Sequence, residues 1–90
     1  MTRFELELYI SGQTLRSRKA VAQLQSICRQ LVPDDHDLSI IDVLEQPQVA
    51  EKMKIIATPT LIRRTPEPTQ RIIGDFSDQE TVINVLGLDS

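Results

Sequence analysis

The sequence predicts an α/β domain with a four-stranded mixed sheet and helices on both faces, its elements ordered βαβαββα. Three observations predict it. Residues 3–10, "RFELELYI", alternate polar and apolar side chains, which is the period of a strand with one buried face. Residues 15–31 place Ala20, Val21, Leu24, Ile27, Cys28 and Leu31 at spacings of three and four, the stripe of a helix packed on a core. Pro59 then breaks the chain, and two strand patterns and a last helix follow it.

The remaining elements follow in order. "SGQT" is the first turn, and "PDDHD" is a polar loop after the first helix. Residues 38–44, "LSIIDVL", read as a buried parallel strand because apolar residues face both ways. Two parallel strands joined by a helix form a right-handed unit. Pro47 suits the first position of a second helix, whose buried face is expected to use Val49, Ala50, Met53 and Ile56. That helix must end before Pro59, which lacks an N–H and keeps Thr58 out of the helical region. "TLIRRT" is the third strand, "PEP" the turn and "QRIIGDF" the last strand. Ser77 with Glu80 three residues on is a capping box for the final helix. Val82, Ile83, Val85 and Leu86 form its apolar side, and Gly87 ends it. This order is the thioredoxin-like plan, so Thr58-Pro59 is expected to be cis.

The totals bound the function. Ninety residues make one domain, 1–90, with one modest core. Aromatics at 3% count against base stacking, and a net charge of -3 gives no pull toward phosphate backbones, so nucleic acid is not an expected partner. No apolar run is long enough to span a membrane. The N-terminus does not read as an export signal, and one cysteine allows no internal disulfide, so a cytoplasmic location is expected.

Catalytic chemistry is hard to find. Redox thioredoxins carry two cysteines where this chain has "SGQTLRS". The lone Cys28 lies on the apolar stripe of the first helix and reads as a small buried hydrophobe. Asp34, Asp35, His36 and Asp37 are consecutive, and adjacent residues cannot all turn to one ion, so they read as a solvated loop. No phosphate loop, nucleophile-base pair or metal-ligand spacing is present, so no enzyme activity, metal or cofactor is expected. Arg16, Arg18 and Lys19 crowd the first turns of a helix. The helix dipole disfavours cations there by about 0.3 kcal/mol or more each, so they call for another explanation.

"LYISGQT" at 8–14, "IIDVLEQPQVAEKMKIIATPTL" at 40–61 and "RIIGDFSDQETV" at 71–82 resemble the KaiB family of small cyanobacterial clock proteins over nearly the whole chain. The resemblance implies a non-enzymatic binding module. Such proteins dock onto the N-terminal ATPase ring of hexameric KaiC, sequester KaiA and displace the output histidine kinase. It also implies two folds, a homotetrameric ground state and a thioredoxin-like monomer that binds KaiC. Thr58, Pro59, Pro66 and Pro68 lie where the two would diverge, and Gly74 and Asp75 lie where the choice is sensitive. Pro66 and Pro68 resist a continuous helix, and the capping box favours a final helix, so the thioredoxin-like state is the expected one. By matching position, Lys19, Lys54 and Arg71 would meet an acidic patch on the partner. Glu7 and Ser39 depart from the family by standing where lysines are common. Two functional classes therefore stand: a KaiB-like regulator of an ATPase, or of a sensor kinase, and a thiol-dependent stress protein on the same fold.

Overall fold

The computed structural model describes residues 3–74 and 76–87. Its elements are β1 (Phe4–Ile10), α1 (Leu15–Leu31), β2 (His36–Asp42), α2 (Pro47–Lys52), β3 (Thr60–Thr65), β4 (Gln70–Ile73) and α3 (Gln79–Leu86). The sheet order is β2-β1-β3-β4, with β2 parallel to β1 and the other pairs antiparallel. This is the thioredoxin-like plan, and the Thr58-Pro59 bond is cis.

Period two in β1 decides where the core forms. Phe4, Leu6, Leu8 and Ile10 point to one face and pack with Ala20, Leu24, Ile27 and Cys28 of α1, Leu61 of β3 and Val82 and Leu86 of α3. Each fully buried leucine or isoleucine contributes about 1.5–3 kcal/mol. The other face is covered only in part: Tyr9 and Ile62 are buried there, while Glu5, Arg64 and Arg71 are exposed. Arg71, the register partner of Ile62, reaches the carbonyls at the end of α2 from that face.

Four expectations are corrected. β2 begins and ends two residues early, at His36 and Asp42, and it is a half-exposed edge strand with Ile40 41% accessible. The Asp42 carboxylate accepts from Leu44 N and Gly12 N, which turns the chain out of the sheet. His36 therefore belongs to β2, with Nδ1 2.6 Å from Val32 O.

α2 stops at Lys52 and leaves Ile56 outside it. Lys54 N bonds Glu51 O and Ile55 N bonds Ala50 O, which is a Schellman ending. Lys54 takes the left-handed position at φ 55, where glycine is usual and a side chain costs roughly 1 kcal/mol.

β4 ends at Ile73: Gly74 N still bonds Pro59 O, but Pro59 has no N–H to return, and Phe76 turns into the core.

The cap of α3 is Asp78, not Ser77: its carboxylate accepts from Thr81 N at 3.2 Å and from the Thr81 hydroxyl at 2.8 Å. Gly87 ends α3 in the left-handed conformation, φ 73, as expected.

The hydroxyl and amide of Thr81 hold the Asp78 carboxyl below its ordinary 3.8. The unfolded chain therefore takes up this proton first as pH falls, so the cap's contribution is present above 3.8 and is lost as pH drops through the lowered value. Asp78→Asn keeps an acceptor but no charge. Thermal melts should show wild type above this variant at neutral pH, with the gap closing in acid. A gap independent of pH would remove the charge from the cap.

Candidate functional site

Strand directions gather one end of the molecule. β1 and β2 finish there, β3 begins there, and β4 finishes there with Ile73 opposite Thr60. In redox relatives of this fold the paired cysteines open α1 at this end. Here Thr14 caps α1, accepting from Ser17 N at 3.1 Å, and its hydroxyl lies 2.9 Å from the Ser17 hydroxyl. Ser17 Oγ in turn lies 3.3 Å from Ser11 N and 3.4 Å from Ser11 O. A hydroxyl cluster thus holds the turn where a thiol pair would sit.

Beside it lies an open groove of about 480 Å³, lined by Leu15, Arg16, Lys19, Gln23, Phe76 and the buried Pro59. The end is also unusually apolar: Leu15 is 82%, Ile56 86%, Leu44 69% and Ile73 50% exposed. Arg16, Arg18, Lys19, Lys52 and Lys54 surround these side chains and are all exposed. The one ion pair among the described residues is Arg64 with Glu7, at 3.6 Å. The cations at this end therefore form no ion pair with acidic side chains among those residues.

The residues matched to partner binding are placed unequally. Lys19 is exposed on α1 and lines the groove. Lys54 is exposed at the exit of α2. Arg71 lies beside Lys54, but its guanidinium donates to Lys54 O at 3.0 Å and Met53 O at 2.8 Å. Lys19 stands on the opposite face of the sheet from these two, because α1 packs on the core face. Thr58, Pro59 and Gly74 belong to this end, whereas Pro66 and Pro68 lie in the turn at the far end of β3. Asp75 lies outside the described residues.

Gly74 is not required by its backbone angle, since its φ is not in the left-handed range. It is required by space: a Cβ there would stand 2.7 Å from the Phe76 ring.

Sequence reasoning missed the backbone contacts of three arginines. Arg16 donates to Gly74 O at 3.2 Å. Arg63 is buried and donates to Leu86 O at 2.9 Å and Pro68 O at 2.8 Å, closing the end of α3, which has no basic residue in its last turn. Arg71 does the same for α2. Nothing in "TLIRRT" distinguishes the buried Arg63 from its exposed neighbour Arg64. The role of Asp42 was legible as a side chain that turns its own backbone.

Two further ionisable side chains are buried away from solvent. Cys28 is fully buried, and burial pushes its thiol up to about 11. Tyr9 is pushed up to about 12 by burial and by its hydrogen bond to Glu7. No cluster among the described residues could hold a metal ion, and none of their helices is long and apolar enough to cross a membrane.

Fold and site together define a thioredoxin-like protein that has no redox pair. Among solved structures, the N-terminal domain of Synechococcus elongatus SasA matches with a TM-score of 0.78 at 23% identity, covering 100% of this chain and 89% of that one. Thioredoxin 1 of Thermosipho africanus matches at 0.74 and 25% identity, covering 92% and 90%. The chain belongs to the KaiB domain family, whose pattern it matches over residues 7–88. It is 53% identical to the circadian clock protein KaiB3 of Synechocystis sp. over 89 residues, which is 99% of this chain and 85% of that protein. The circadian clock oscillator protein KaiB of Prochlorococcus marinus is 48% identical over 84 residues, 93% of this chain and 78% of that protein. The family is one of clock regulatory proteins.

Two outcomes follow from the packing. Gly74→Ala should lower stability by about 1–3 kcal/mol, the usual cost of overpacking. Phe76→Leu in the same chain should recover part of that loss in a urea double-mutant cycle, whereas Gly74→Ala at wild-type stability would mean that the ring has room. For Cys28, alkylation by iodoacetamide should proceed only as fast as the protein unfolds, and fast labelling of the native protein would contradict its burial.

Proposed function

We propose that this protein, acting as one domain over residues 1–90, is a non-enzymatic clock regulator that docks onto the N-terminal ATPase ring of a KaiC-type hexamer. Docking would modulate the phosphorylation of the ring and its output signalling. The observation that carries the reading is the end of the sheet where exposed Leu15, Leu44, Ile56 and Ile73 lie among exposed cations that form no ion pair among the described residues. Apolar centres within a charged rim are what a specific protein interface uses. The positive rim selects an acidic partner and speeds the encounter. A second copy of this surface would meet it with like charge, which favours a different protein as the partner.

Lys19 and Lys54 are proposed as direct contacts, with Arg71 beside them. KaiA or a sensor histidine kinase are the further partners proposed, the latter in line with the SasA-like fold. Thr58, Pro59, Pro66, Pro68, Gly74 and Asp75 are proposed as the segment through which a second, tetrameric fold would differ, this state being the monomer. A cytoplasmic location is part of the same proposal. The buried, weakly acidic Cys28 counts against a thiol-dependent role.

Size-exclusion chromatography with light scattering, with and without a KaiC-type hexamer and ATP, tests the proposal. Co-elution with the hexamer is expected, weakening as salt rises. Lys19→Ala and Lys54→Ala should each weaken it about tenfold, the equivalent of roughly 1.4 kcal/mol. A protein that elutes alone at every salt concentration would sink the reading.

A further inference from the structure

We propose that Arg71 is a positioning residue for the docking surface, acting through Lys54 and the segment that follows it. The inference rests on the docking reading for its function and on the free protein for its geometry. The two guanidinium nitrogens of Arg71 hold consecutive carbonyls, Met53 O at 2.8 Å and Lys54 O at 3.0 Å. Met53 is the C-cap of α2 and Lys54 the residue after it, so neither carbonyl has a partner further along the helix and both are open to an outside donor. Lys54 occupies the left-handed position at φ 55 with no glycine to ease it. A planar fork matched to two carbonyls can hold that conformation, whereas a single ammonium would hold one of them.

The same exit is gripped from β3. Arg64 Nη1 lies 3.6 Å from Met53 Sδ and 3.6 Å from Glu7, and Glu7 accepts from the Tyr9 hydroxyl at 3.0 Å. Two strands thus fix the turn from which Lys54 and Ile56 reach solvent. With its donors engaged on backbone, Arg71 sets where Lys54 points and need not touch the partner itself.

A double-mutant cycle tests this, with a partner-free measurement beside it. Arg71→Ala should weaken binding to a KaiC-type hexamer about tenfold in the wild-type chain, but less than about twofold in a Lys54→Ala chain, since coupled residues are not additive. Arg71→Lys should fall between. In the free protein, Arg71→Ala should speed cleavage after Lys54 by a lysine-specific protease and raise amide exchange at residues 55–57. Adding Lys54→Gly, which suits the left-handed position, should restore exchange protection there. A general loss of fold would show no such rescue. Independent effects of the two residues on binding, with cleavage unchanged, would overturn the proposal and make Arg71 a direct contact. If the wild type binds no hexamer, the docking reading fails, while cleavage and exchange still decide the role of Arg71: unchanged values in Arg71→Ala overturn it.

Discussion

β1 is hydrogen-bonded on both sides, parallel to β2 and antiparallel to β3, and its alternate side chains Phe4, Leu6, Leu8 and Ile10 form the floor of the core. The rest of the structure depends on that double pairing. A strand paired on both edges has its backbone groups satisfied and can be buried on both faces. α1 and α3 cover one face, and Tyr9 is buried on the other. The register with β3 also brings Thr60, and with it Pro59, to the level at which β1 ends. The end of the sheet that carries the exposed apolar side chains is therefore a consequence of how β1 is paired.

The second half of the chain is tied down by arginines that bond backbone carbonyls. Arg63 reaches the end of α3, Arg71 the end of α2, and Arg16 the carbonyl of Gly74. A charged donor to a carbonyl is stronger than a neutral one and answers acceptors that a helix end leaves open. In a small domain with a modest core, such bonds help decide how short elements like α2 and β4 sit. They also explain part of the basic content of a chain whose net charge is -3. Arg63 and the exposed Arg71 donate to backbone carbonyls within the protein, whereas Lys19 and Lys54 face solvent with no such contact among the described residues.

The thioredoxin-like frame is used here without its redox chemistry. The hydroxyls of Thr14 and Ser17 replace a thiol pair at the start of α1, and the only thiol is sealed in the core. What remains at this end is shape and charge: a groove beside Pro59, exposed leucines and isoleucines, and cations that form no ion pair among the described residues. Those are features of recognition, and they accord with membership of a family of clock regulatory proteins.

By itself the sequence determined the element order, the core face of β1, the buried stripe of α1 except for the exposed Leu31, the extent of β3 and the glycine that ends α3. Each of these is set by a local period or by one residue's backbone preference. The family was legible in the same way, from contiguous motifs such as "ATPTL" and "RIIGD". Only the tertiary structure decided the rest. β2 is an edge strand, because strand order depends on contacts distant in sequence. α2 ends early through a left-handed Lys54 that Arg71, 17 residues on, helps to hold. Gly74 is needed for the ring of Phe76, and Arg63 is buried beside an exposed Arg64. In each case the cause is a partner brought close by folding, and no local pattern in the chain records which partner that is.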